Sequence, residues 1–193
     1  AIKVNKEWAA KIGIEPSAAI TCVKPSGTVS QLVDSSSGIH PRYSEYYLRT
    51  VRADKRDPIA KFLRQQGVYV EDDVTKPEAV DVFHFPQKAP QGAVLRNDMG
   101  AIQQLDHALV FRNTWCEHNP SLTVYYGDSE FLDVGAWVYR NFDSLGGVSF
   151  LPRSDHIYRQ APYQELTKEQ YEEWLTKTPK IKWEELKDFE TTD

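Results

Sequence analysis

Cysteine is scarce in this sequence, with Cys22 and Cys116 the only two among 193 residues. Two thiols so far apart exclude a disulfide scaffold, match no metal-binding spacing, and point to a reducing, cytoplasmic setting. Long apolar runs are missing as well. None approaches the ~20 residues that cross a bilayer, and the opening stretch lacks the apolar centre of a signal peptide, so no membrane partner is expected. Basic charge is in deficit: 23 Lys and Arg face 28 Asp and Glu, a formal net charge of -5. Nucleic-acid backbones demand a basic surface, so no nucleic-acid partner is expected, while a small anion held at one local site stays compatible. His40, His84, His107 and His118 with Cys116, Glu117 and Asp106 supply metal-donor types, but no HxxxH or CxxC puts them in register and no metal site is expected. A GxSxG nucleophile elbow, internal repeats and low-complexity stretches are likewise absent.

What is present is a folding chain. Hydrophobic residues make up 40% of it, with 5 Trp, 10 Tyr and 8 Phe, and the mean hydropathy is -0.55. That composition can offset the entropy of ordering, and the length predicts one unit over residues 1–193. The sequence opens on Ala1 directly into a helical pattern, from which we expect a piece of a longer polypeptide.

Short strands and helices alternate. Trp8 and Ile12 recur on one face of a helix over residues 5–14, ended by Gly13 and Pro16, and Ala18 to Val23 reads as a short buried strand. A strand is predicted at Tyr46 to Arg52, a helix opened by Asp57-Pro58 and closed by Gly67, an acidic solvated loop around Glu71, Asp72 and Asp73, and a strand at Ala79 to Phe85, where His84 is an ordinary strand residue. Arg49 and Arg52 lie on opposite faces of their strand. Ile102, Leu105, Leu109 and Trp115 predict a longer helix, followed by a strand at Ser121 to Tyr126. The next helix, capped near Asp128, is expected to turn Leu132, Ala136, Tyr139 and Phe142 inward before Gly146-Gly147. Val148 to Leu151 is a strand, and Thr167 with Gln170 forms a capping box for a final helix. The class is α/β, with strands partly parallel and covered by helices.

One segment stands out for chemistry. Lys24-Pro25-Ser26-Gly27-Thr28-Val29-Ser30 lies between a predicted strand and a helix starting near Thr28. N–H groups at a helix start carry partial positive charge, Gly27 admits close approach to the backbone, and three hydroxyls surround it, all of which suits phosphate. The spacing is not GxxxxGK[ST], and a plain helix cap accounts for the same residues.

The longer stretch ITCVKPSGTVSQLVDSSSGIHPRYSEYYLRTVR, residues 20–52, resembles the substrate-phosphate region of adenosylcobalamin-dependent (class II) ribonucleotide reductases, above all the monomeric branch that reduces ribonucleoside triphosphates. The resemblance continues in TWCEHNPSLTVYY, in the Gly-Gly-Val-Ser-Phe-Leu-Pro stretch at 146–152, and in QAPYQELTKEQYEEW. It implies the C-terminal portion of the ten-stranded α/β barrel of those enzymes, with barrel elements over 1–160 and a helical tail over 161–193. It also implies that Pro25, Ser26, Gly27, Thr28, Val29 and Ser30 hold the phosphates of a ribonucleoside di- or triphosphate. Ser37, Gly38 and His40, in the matching Ser36-to-Pro41 stretch, are treated as wall of the active-site cavity.

The thiyl-forming cysteine and the two redox cysteines of such reductases precede the phosphate turn, and nothing in residues 1–23 matches them. No catalytic residue is therefore assigned, and adenosylcobalamin, the implied cofactor, is expected to be bound mostly by the missing part. The expectation is a reductase fragment or subunit, inactive alone, that pairs with a complementary N-terminal reductase chain or self-associates. The alternative is a nucleotide-binding or regulatory module derived from that fold that has lost the chemistry.

Overall fold

Local chemistry sets most element boundaries. The first helix, α1 (Ile2–Ile12), stops where Gly13 takes φ +74°, a left-handed conformation that costs glycine little. Asp57 caps α3 (Pro58–Gln65) by accepting the Ile59 N–H at 3.1 Å, and Pro58 at the first position lacks an N–H to leave unpaired. Thr167 and Gln170 close the capping box of α6 (Lys168–Lys177) as the sequence predicts. Between these come α2 (Val29–Leu32), β1 (Tyr46–Asp54), β2 (Val70–Asp72), β3 (Val80–Lys88), α4 (Ala101–Thr114), β4 (Leu122–Tyr126), α5 (Phe131–Arg140), β5 (Val148–Pro152) and β6 (Tyr163–Glu165).

The computed structural model describes residues 1–153 and 159–189. It divides the chain into two compact units, where the length alone predicts one: Ala1–Arg42 with Pro90–Ser154, and Tyr43–Ala89 with Asp155–Asp193. Among the described residues no helix is long and apolar enough to cross a membrane.

In the first unit β4 and β5 pair in parallel, Leu122 opposite Val148 through Tyr126 opposite Pro152, with α5 in the connection between them. Leu105, Val124, Val134 and Trp137 form its core with Ile39. Gln104, 1% exposed, is a buried polar side chain that meets its requirements by exchanging hydrogen bonds with Tyr125 N–H and C=O, at 3.2 and 3.1 Å, which fixes α4 against β4. Trp137 donates its indole N–H to Asp106 at 2.8 Å. The inward face of α5 is therefore Val134 and Trp137, and the predicted face is wrong: Leu132, Tyr139 and Phe142 are 81%, 85% and 71% exposed. Trp8 and Ile12 on α1 are exposed as well, and only Ala9 of that helix is buried.

In the second unit the sheet order is β2-β3-β1-β6, antiparallel throughout. The nine-residue β1–β3 ladder runs from Tyr46 opposite Lys88 to Asp54 opposite Val80. Strand β6 joins its edge, so the span after residue 160 is not wholly helical, and β2 occupies part of the predicted acidic loop. Phe62, wholly buried on α3, packs with Phe83, Leu63 and Val68 and meets the rings of Trp183 and Phe189, both at 5.6 Å between centroids. Trp174 of α6 stacks on His84, a strand residue of β3 as predicted, and one that is buried.

The acidic cluster is only partly solvated. Asp73 is 3% exposed and accepts from the Thr75 hydroxyl at 2.6 Å, the Thr75 and Lys76 N–H groups, and Arg52 at 2.7 Å. The Thr75 hydroxyl first, then Arg52, hold its carboxyl well below the usual carboxylate range. A carboxyl whose folded pKa is depressed stabilises the fold above its unfolded value of about 4 and loses that contribution as pH falls below it. Thermal melts should therefore show stability falling on acidification from about pH 4, and Asp73→Asn should flatten that acid limb. An unchanged acid limb in the variant would contradict this role.

Candidate phosphate turn and adjoining cleft

Residues 18–23 enter the turn without joining a sheet, contrary to the sequence-based expectation of a strand. Their hydrogen bonds run instead to the loop after α4. Ile20 N–H donates to Glu117 at 2.7 Å, Thr21 Oγ1 to Trp115 C=O, Val23 N–H to Cys116 Sγ at 3.3 Å, and Thr21 C=O accepts from His118 N–H at 3.2 Å. Half of these partners are side-chain atoms, so no regular ladder forms. The apolar β-branched run that suggested a strand is at most half-buried here and pairs with no strand.

The turn itself is held from inside. Ser26 N–H donates to Ser37 Oγ at 3.0 Å, Ser26 Oγ accepts Ser30 N–H at 3.1 Å, and the Ser30 hydroxyl donates to Ser26 C=O. Ser30 is 3% exposed, so its hydroxyl shapes the turn and does not face solvent. Gly27, Thr28 and Val29 are exposed, and α2 is a single turn beginning next to Thr28, as the sequence predicts. The N–H groups of Thr28 and Val29 have no acceptor among the described residues, as the first turn of a helix leaves them. A Cβ built on Gly27 meets nothing within 4 Å, so the space above the turn is open. At the far end of α2, buried Arg42 pairs with Asp34 and donates to Gln31 Oε1 at 3.5 Å.

The two sequence stretches singled out earlier come together here. Gly38 has φ +61°, and a Cβ on it would lie 3.1 to 3.2 Å from Pro25 N and Cα and from Lys24 C=O. This is a close approach of two backbones at a left-handed φ, both of which favour glycine. Gly38→Ala should cost about 1–2 kcal/mol for the left-handed backbone alone and push the 24–26 segment outward. Denaturant unfolding of the variant checks the first effect, and a loss below a few tenths of a kcal/mol would contradict it.

His40 anchors the same stretch to β4. Its Nε2 accepts Thr123 N–H at 3.0 Å, which assigns the proton to Nδ1, where it is donated to Ser37 C=O at 2.8 Å. His40 and Gly38 line an open cleft of about 510 Å³, whose other side is formed by Gln103, His107 and Phe111 of α4. Ser36 also lines it, whereas Ser37 is turned to the phosphate turn. Among the described residues no group of three or more His, Cys, Asp or Glu could hold a metal ion.

Three features escaped sequence reasoning. Arg49 and Arg52, which the sequence places on opposite faces of their strand, are both engaged within the second unit, Arg49 over the ring of Tyr163 at 4.7 Å and Arg52 with Asp73. Asn119, quoted within the TWCEHNPSLTVYY stretch but given no role there, donates to Gly147 C=O at 3.1 Å and fills the space beside Gly146. Cys22 and Cys116, which the sequence left unrelated, adjoin each other.

No family model matches the chain. It is 32% identical over 173 residues to an adenosylcobalamin-dependent ribonucleoside-triphosphate reductase of Euglena gracilis, covering 89% of this chain and 23% of that protein. The protein of the same name from Levilactobacillus brevis is 27% identical over 175 residues, with the same coverage, and a probable one from Dictyostelium discoideum is 28% identical over 191 residues, 95% of this chain and 25% of that one. The chain thus spans about a quarter of the length of the curated relatives it matches. The fold is similar to a crystal structure of a B-12-dependent (class II) ribonucleotide reductase, with a TM-score of 0.77 and 24% identity, over 100% of this chain and 27% of that one. The resemblance first carried by the Pro-Ser-Gly-Thr turn therefore holds in sequence and in fold, and the chain is homologous to about a quarter of an adenosylcobalamin-dependent ribonucleotide reductase.

Proposed function

We propose that this chain is the substrate-phosphate-binding part of a ribonucleotide reductase, an enzyme that converts ribonucleotides to 2'-deoxyribonucleotides by a thiyl-radical mechanism. The observation that carries the reading is the interlock of the two family-like stretches. Ser37 and Gly38 brace the Lys24–Ser26 backbone, and beside it Thr28 and Val29 are exposed residues whose N–H groups have no acceptor among the described residues, next to open space at Gly27. Backbone donors fixed in this way suit the phosphates of a ribonucleoside di- or triphosphate.

The chain's own contribution is positional. Phosphates seated on Ser26–Val29 would set where the ribose lies, and holding a reactant near its attacking group removes entropy from the barrier. His40, with both ring nitrogens committed to Ser37 and Thr123, keeps the stretch beside the turn in one conformation. In this reading Ser30 is a positioning residue and Thr28 a contact.

Adenosylcobalamin supplies the radical when bound, but the described residues do not fit it. The cleft of about 510 Å³ is open and far smaller than a corrin with its nucleotide tail, so the cofactor belongs to the rest of the reductase. The radical and redox cysteines belong there too. Two structural features support such a complement. The β4–β5 sheet has two parallel strands among the described residues, so each strand keeps an edge that a further strand could pair. The α5 helix exposes Leu132 and Tyr139 on its uncovered side, and Phe142 just beyond its end is exposed as well.

Calorimetric titration of the chain with a ribonucleoside triphosphate tests the binding reading. One site per chain, lost when inorganic triphosphate competes, is the expected result. A folded chain that binds neither would remove the phosphate assignment.

A further inference from the structure

Cys22 and Cys116 are far apart in sequence and neighbours in the fold. Val23 N–H donates to Cys116 Sγ at 3.3 Å, and the Cys22 thiol points to the His118 and Asn119 carbonyls, both at 3.4 Å. The Cys116 sulfur therefore lies against the backbone N–H that directly follows Cys22. Cys116 is buried, at 3% exposure, while Cys22 is half-buried and thus open to a small reagent. Neither thiol has a part in the phosphate turn, and no third ligand joins them, since no metal-competent group of three exists among the described residues.

We propose that Cys22 and Cys116 form a reversible thiol–disulfide pair, oxidised by a low-molecular-weight disulfide and reduced by a dithiol. The Cys22 sulfur, having released its proton to solvent, attacks one sulfur of the oxidant. That S–S bond breaks and the first small thiol leaves with a proton. Cys116 Sγ then attacks Cys22 Sγ in the mixed disulfide, its proton and the second small thiol depart together, and the Cys22–Cys116 bond remains. Two protein thiols are oxidised and one small disulfide is reduced to two thiols. Burial, then the neighbouring Cys116, push the Cys22 thiol above its ordinary value, so the first attack is slow at neutral pH. The new bond would fasten the segment entering the 24–30 turn to the loop after α4, along the line where Ile20, Thr21 and Val23 already bond to it.

Oxidised glutathione applied to the full chain, dilute and in native buffer, tests this. Both thiols should disappear together, peptide mapping should join Cys22 to Cys116 with no glutathione retained, and dithiothreitol should restore both. Cys22→Ser and Cys116→Ser should each retain the single thiol or carry one glutathione instead. In urea the same oxidant should give chiefly mixed disulfides, because only the fold brings the sulfurs together. Mixed disulfides or dimers as the main native product, or internal pairing no faster in native buffer than in urea, would overturn the proposal.

Discussion

Gly27→Val should abolish measurable nucleotide binding while leaving the melting temperature within a degree or so of the parent. A Cβ at this position enters empty space, and Gly27 does not adopt a positive φ, so the folded chain tolerates the change. The isopropyl group would stand where phosphate oxygens must approach the Thr28 and Val29 N–H groups. Hydrogen bonds to a charged group contribute about 1.5–3 kcal/mol each, so losing two of them lowers affinity by roughly 100-fold or more. Calorimetry with a ribonucleoside triphosphate, beside a thermal melt, reads both halves of the expectation. Unchanged affinity in Gly27→Val would mean that the phosphates sit elsewhere.

The second large effect lies in the other unit and concerns stability. Asp81 on β3 is completely buried, and its carboxylate is held by the Arg64 guanidinium of α3, Nε at 2.6 Å and the second nitrogen closer still. Lys55 Nζ stands farther off, at 3.9 Å. Arg64→Ala leaves a buried carboxylate with only that distant cation, and breaking a buried pair from one side costs about 3–5 kcal/mol. Lys55 places the expectation at the low end of that range. Replacing both partners by apolar residues, as in Arg64→Met with Asp81→Leu, should recover most of the loss, since the penalty comes from the stranded charge. Denaturant unfolding of the two variants measures the difference. A cost below about 1 kcal/mol for Arg64→Ala would show that Asp81 is not dependent on the pair.

The elements best read from sequence were those with local punctuation. Asp57-Pro58, Gly67, and the Thr167–Gln170 box mark helix ends through the backbone groups they satisfy, so that α3 begins and ends, and α6 begins, where those residues require. Strands β1, β3, β4 and β5 followed from apolar β-branched and aromatic runs. The failures share a cause: burial and pairing depend on partners remote in sequence. Residues 18–23 have strand composition, but their neighbours are the irregular loop at 115–119, so they bond to side chains instead of a ladder. The apolar residues of α5 occupy more than one face, and the choice of Val134 and Trp137 over Leu132 and Tyr139 was made by α4, through Asp106 and the Trp137 indole. Short β2 and β6 have too few residues to show a period, and they exist because β1 and β3 offer long edges.

The candidate site was legible in parts. The Pro-Ser-Gly-Thr turn and the start of α2 were visible as a glycine and hydroxyls ahead of a helix. The fit of Gly38 against Pro25 was not, because a backbone–backbone approach leaves no mark except the glycine itself. The partition of hydroxyls was hidden as well: Ser30 looked like a ligand and is buried as a brace, while Thr28 remains exposed. The Cys22–Cys116 neighbourhood needed the fold, since no spacing in sequence announces it.

The most direct test of the central claim is ribonucleotide reduction measured with adenosylcobalamin and a dithiol, using this chain alone and combined with the complementary part of the reductase. The account predicts no deoxyribonucleotide from the chain alone, product from the combination, and loss of that product with Gly27→Val. Turnover by the chain alone, or none from a combination in which both parts are folded and associated, would contradict it.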